Sequence, residues 1–158
     1  MVGIWLVQIG GGILCVAVIS VGIGLTAPRW PAAWLDRDRG PLHLTRFDTQ
    51  ERYERLGVKW WKRRFPDGGD WAGGESKSRL PRLDDPDQVQ RYIVETRRAE
   101  WVHWLANLSV VPILFFAQWW IFLAFLIITM IVNAIPIMIV RYNRLRLLQY
   151  LPGDGGTA

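Results

Sequence analysis

The sequence predicts an all-α integral membrane protein with about three transmembrane helices, one N-terminal and two in a C-terminal hairpin, and an interfacial segment between them. Residues 2–25 carry no charge, and neither do residues 105–140. All 19 Lys and Arg lie between those runs or after the second one. The mean hydropathy of +0.12 therefore averages two strongly apolar ends and a charged middle.

The first run is long enough to cross ~30 Å of hydrocarbon at ~1.5 Å per residue. A cleaved signal peptide needs a basic stretch ahead of it and a small-residue cleavage site. No basic residue precedes the run, and Ala27 is followed by Pro28, so an uncleaved helix over residues 1–26 is expected. The second run would be about 54 Å long as one helix, too long for a single crossing. Basic residues flank it on both sides, and short Lys/Arg-rich loops stay in the cytoplasm. An even number of crossings should therefore lie within residues 105–141, turning near residues 117–120, where Gln118, Trp119 and Trp120 suit an outer interface. A re-entrant hairpin would give the same sidedness. The N-terminus is expected outside, with segment 27–104 and tail 142–158 cytoplasmic.

Within segment 27–104, "APRWPAAW" reads as an interfacial exit from the first helix. "DTQERYERLGVKWWKRRF" reads as one short amphipathic helix with Asp48 as its cap, and "PDGGDWAGGESKSRLPRLDDP" as a loop around Trp71. Asp87 is expected to cap a final helix that runs into the membrane. In "VKWWKRRF", Lys59 and Lys62 sit among aromatic rings. They would anchor on anionic lipid or cradle a phosphate-bearing donor or headgroup. The glycines of "PDGGDWAGG" lack the spacing and context of a phosphate-binding loop. The single cysteine, Cys15, excludes an internal disulfide, and zinc-type Cys/His spacing is absent. The formal charge of +5 is concentrated beside apolar runs, which points to membrane lipid and not to nucleic acid.

The stretch "ETRRAEWVHW" carries the chemistry. On a helix, Thr96, Glu100, His103 and Asn107 form one narrow stripe descending into the apolar run, with Glu95 at its border. Histidine exchanges protons near neutral pH, and a carboxylate three residues away can orient it for general-base work. The competing reading is a surface Glu–His–Arg network that fixes the helix at the interface. Glu100-x-x-His103 resembles half of a di-iron site, but no second such pair exists, so no metal or cofactor is expected. Downstream, Asn133 lies inside the apolar run, followed by Pro136 and "RYNRLR". Intramembrane polar residues usually face the bundle interior, and Arg144 projects on the same helical face as Asn133.

"ETRRAEWVHW" followed by "NAIPIMIVRYNRLRL", together with Trp61, Lys62, Asp67 and Gly68, resembles the glycosyl-4,4'-diaponeurosporenoate acyltransferase family over roughly residues 55–148. Two positions depart from the family pattern: Val140 stands in place of Gln, and Leu145 in place of Pro. The resemblance implies a multi-pass protein of a bacterial cell membrane. It would transfer a fatty acyl group from an unidentified donor to a sugar hydroxyl on a glycosylated lipid such as a carotenoid glucoside. It further implies His103 as the general base, with Glu100 or Glu95 orienting it. Arg98, Arg141 or Arg144 would stabilise the oxyanion or bind the donor. Thr96, Asn107, Asn133, Tyr142, Asn143, Lys59 and Lys62 complete the implied binding set. The alternative is a non-catalytic membrane subunit that docks a partner membrane enzyme.

Overall fold

The computed structural model describes residues 2–64 and 83–151. The expected loop around Trp71, the motif residues Asp67 and Gly68, and the tail beyond residue 151 lie outside these. Among the described residues the protein is helical and holds no strand. Helix α1 is Val2–Thr26, α2 Gln50–Arg55, α3 Val58–Arg64, α4 Pro86–Asn107 and α5 Trp119–Leu148. Short 3-10 turns at Ala27–Arg29, Ala32–Trp34 and Gly40–Leu42 carry the chain from α1 to α2. A longer 3-10 segment, Leu108–Phe115, continues α4 downward.

Two described helices are long and apolar enough to cross a membrane, within Val2–Arg29 and Trp119–Leu148, with mean hydropathies of 2.3 and 2.6. Only 6% and 17% of their apolar stretches are buried. Gly12 is the one fully buried residue of α1, while Leu6 and Val7 are 66% and 75% exposed. The third expected helix is replaced by the lower part of α4 and the eight-residue 3-10 segment, with Pro112 inside it. Proline has no N–H to donate and clashes with the preceding turn, so α-helix does not persist through residue 112. The chain reverses over residues 116–118, close to the expected turn, and α5 starts at Trp119. It continues as one α-helix, with Pro136 inside it, to Leu148.

The three limbs pack side by side. The rings of Trp5 and Trp120 meet edge-on at 5.9 Å, and Gln8 Nε2 donates to the Phe116 carbonyl at 3.1 Å. A side chain at Gly12 would collide with the Phe125 ring, at 2.7 Å from its Cζ. Glycine is thus what lets α1 approach α5. Higher up, Ser20 and Ser109 hydroxyls lie 3.5 Å apart. The N-terminus of α1 therefore shares one end of the bundle with the reversal, and the charged segment caps the other.

Three expectations about that cap are corrected. Residues 48–64 do not form a single helix: Gly57, at φ +77, breaks them into α2 and α3. Glycine adopts that left-handed backbone without the steric cost of a Cβ. The cap of α2 is Thr49, whose hydroxyl accepts from the Arg52 N–H at 3.2 Å, and not Asp48. Helix α4 is capped by Asp85, whose Oδ1 accepts from the N–H groups of Asp87 and Gln88 at 3.0 and 3.2 Å, and not by Asp87. Pro86 follows at the first helical position, where its missing N–H costs nothing.

Candidate active site

Helix α4 meets α5 with two polar clusters, one after the other along its length. The lower cluster contains the sequence-predicted histidine. His103 Nδ1 lies 2.9 Å from Asn133 Oδ1. Asn133 Nδ2 donates to the Thr129 carbonyl at 3.0 Å and to Asn107 Oδ1 at 3.1 Å. A backbone carbonyl can only accept, which fixes the amide of Asn133 with its nitrogen on that side and its oxygen toward the imidazole. An amide oxygen has no proton to give. Nδ1 of the neutral ring therefore carries the hydrogen, and Nε2 carries the lone pair. Three of the predicted residues, His103, Asn107 and Asn133, thus form one chain of hydrogen bonds across α4 and α5.

The upper cluster is a row of alternating charges. Arg97 Nε donates to Asp38 Oδ1 at 2.7 Å. Asp38 Oδ1 lies 3.8 Å from Arg144 Nε, and Arg144 Nη2 lies 2.8 Å from Glu100 Oε2. The other oxygen of Glu100 accepts from Arg141 Nε at 2.7 Å and from the Trp104 indole at 3.2 Å. Arg141 Nη1 reaches Asp48 at 3.0 Å. Three guanidiniums and three carboxylates alternate, so the row is neutral. Glu100 and Arg144 at its centre are both 0% exposed. Burying a charge is costly unless it is paired and hydrogen-bonded, and here each has at least one opposite neighbour. Backbone carbonyls add to the support: Leu42 accepts from Arg144 at 2.8 Å, Pro41 accepts from Arg141, and Leu35 and Asp36 accept from Arg97 at 3.2 and 2.9 Å. The irregular stretch between α1 and α2 is thus sewn onto α4 and α5. Burial alone would raise the Asp48 carboxyl, but hydrogen bonds from Tyr53 and Thr45 and the charge of Arg141 outweigh it and hold the group at about 2.

The remaining predicted residues spread around these clusters. Thr96 is buried, and its hydroxyl bonds back to the Ile93 carbonyl at 2.7 Å. Glu95 pairs with Arg98, whose Nη2 also reaches the Trp30 carbonyl at 3.2 Å. Lys62 Nζ donates to Asn143 Oδ1 at 3.0 Å, which brings α3 onto the "RYNR" segment. Tyr142 donates to Glu54, which Lys59 also pairs with, each at 2.8 Å. Sequence reading missed Asp38, Asp48, Arg97 and Trp104. Arg97, Glu100 and Trp104 do share a helical face, three and four residues apart, so part of this second stripe was open to detection. The two aspartates lie in irregular backbone and give no periodic signal. The described residues offer no cluster of His, Cys, Asp or Glu able to hold a metal ion.

The profile of the glycosyl-4,4'-diaponeurosporenoate acyltransferase family matches residues 31–152, which include both clusters. The chain belongs to this family. Glycosyl-4,4'-diaponeurosporenoate acyltransferases of Staphylococcus aureus strains N315 and USA300 are each 31% identical to it over 108 residues. That alignment covers 64% of this chain and 64% of each relative's length. No solved structure matches the chain. The family match starts after α1, so the residues shared with the acyltransferases are the cap, α4 and α5.

Proposed function

We propose that the protein is a membrane-embedded acyltransferase that moves a fatty acyl group onto a sugar hydroxyl of a glycosylated lipid, with His103 as general base. The observation that carries this is the His103–Asn133–Thr129 relay, in which Nδ1 faces the Asn133 amide oxygen and, in a neutral ring, Nε2 would hold the lone pair. In this reading Nε2 takes the proton from the acceptor hydroxyl as its oxygen attacks the donor's acyl carbonyl. The tetrahedral intermediate then collapses, and the protonated ring returns the proton to the departing group. Asn133 takes over the orienting role that the sequence suggested for Glu100 or Glu95. Glu100 instead holds Arg141 and Arg144. Arg144 is sealed inside, so we assign donor binding to Arg141, which lines an open pocket.

We also infer that all three limbs lie in the bilayer. Residues 101–107 at ~1.5 Å and 108–115 at ~2.0 Å per residue extend roughly 26 Å, close to the ~30 Å of hydrocarbon. His103 then sits near the interface, where an acyl chain can stay in lipid while its head reacts. The basic cap and tail would face the cytoplasm.

The test is turnover by protein purified in lipid, with an acyl donor and a lipid glucoside, normalised to correctly inserted molecules. His103→Gln should lower turnover by ~10²–10⁴, and Asn133→Leu, which frees the ring's tautomer, should lose part of that and shift the pH profile. Wild-type turnover by His103→Gln would end the catalytic assignment and leave a docking role.

A further inference from the structure

The turn ahead of α2 is built as a platform. Asp48 Oδ2 accepts from both the N–H and the hydroxyl of Thr45 at 2.7 Å, and its Oδ1 accepts from Arg141 at 3.0 Å and from the Tyr53 hydroxyl. These bonds fix a turn that presents Arg46 and Phe47 outward, with Phe47 57% exposed. The Arg46 guanidinium stands over the Phe47 ring at 4.9 Å, and that of Arg52 at 5.6 Å. Neither arginine has a carboxylate within ion-pair distance among the described residues, unlike the three arginines of the buried row. Phe47, Arg52, Thr45, Tyr53, Leu56 and Arg141 line an open pocket of about 440 Å³. Asp48 also touches this space, but its oxygens already receive four hydrogen bonds. What the pocket offers a ligand is therefore positive charge, a tyrosine and an aromatic face. Both guanidiniums lie within about 6 Å of the same ring, so an anion bound beside that ring meets two positive charges.

We propose that this pocket and the Phe47 ring at its edge form a phosphate-binding subsite, in which Arg52 from the pocket wall and Arg46 from the same ring, outside the wall, both bind one phosphate group. Arginine suits the task because its planar fork matches phosphate oxygens bidentately. The phosphate belongs either to an anionic phospholipid headgroup or to a soluble phosphate-bearing molecule. Arg141 lines this pocket too, so the inference deepens the proposed donor site and rests on that reading; Arg46 and Arg52 take no part in the His103 relay, so loss of phosphate binding and loss of His103-dependent turnover are separate readouts.

The test uses the full-length protein and two binding measurements. Native mass spectrometry counts phosphatidylglycerol retained from mixed micelles, against phosphatidylcholine as the zwitterionic reference. Titration calorimetry in phosphatidylcholine nanodiscs follows inorganic pyrophosphate and, separately, coenzyme A. Arg46→Gln/Arg52→Gln should weaken one of these by roughly a hundredfold, about tenfold for each charge-assisted contact, and the weakening should shrink as salt rises. Loss in the lipid arm identifies a headgroup, and loss in the soluble arm a free phosphate. Arg37→Gln/Arg55→Gln removes the same net charge from exposed arginines outside the pocket and should leave both arms unchanged. Equal loss in the two double variants, or no arginine-dependent binding in either arm, overturns the proposal.

Discussion

Removing the central charges of the buried row one at a time should destabilise the protein more than removing both. Glu100→Gln deletes the carboxylate between Arg141 and Arg144 and leaves the buried row with three cations and two anions. Arg144→Met leaves the opposite excess. Breaking a buried pair by removing one partner typically costs ~3–5 kcal/mol, because the survivor stays buried and uncompensated. Glu100→Gln/Arg144→Met leaves Arg97 with Asp38 and Arg141 with Asp48, two complete pairs at 2.7 and 3.0 Å. Replacing a buried ion pair by groups of similar volume is often close to neutral. The double variant should therefore be less damaged than either single one, which requires a coupling larger than a single loss, that is above ~3–5 kcal/mol. For a chain of this length ~1 kcal/mol shifts the melting point by ~2–4 °C, so each single variant should lose roughly 6–20 °C. The assay is apparent unfolding temperature in one lipid or detergent at one scan rate, since unfolding of such a protein is read kinetically. Additive losses, with the double variant the least stable of the three, would refute the row as a charge-balanced strut.

Acid should loosen the cap through Asp48. Its folded pKa of about 2 lies below the ordinary 3.8, so its contribution to stability is complete above about pH 4 and disappears as the pH falls through about 2. Asp48→Asn should be less stable above pH 4 and should show a flatter decline between pH 4 and 2; unfolding curves with the same acid slope as the wild type would rule this out. Sidedness can be read by single-cysteine labelling of intact cells in a Cys15→Ser background. Gln118→Cys should react with an impermeant maleimide, while Leu56→Cys and Tyr150→Cys, both at exposed positions, should react only after permeabilisation. Labelling of position 150 from outside would dismantle the three-limb topology.

What the sequence determined is what depends on local order alone. Two uncharged runs, the basic clusters beside them and the stripe Thr96–Glu100–His103–Asn107 could all be read from 3.6-residue periodicity and composition. So could the reversal near residue 117 and the family motif, because helical neighbours are also sequence neighbours. Tertiary structure decided which partner each polar group takes. His103 sits three residues from Glu100 but binds Asn133, thirty residues away, while Glu100 turns both oxygens to Trp104 and to arginines of α5. Asp38 and Asp48 became members of the row only because an aperiodic stretch folds over the ends of α4 and α5. Cap choice followed the same logic: Asp48 and Thr49 are both competent caps for α2, as Asp85 and Asp87 are for α4. Backbone geometry and a competing arginine selected Thr49 and Asp85. Helix formation is set by neighbours in the chain, whereas a buried charge must take whichever opposite charge the packed fold brings within reach, since leaving it unpaired costs more than any local preference.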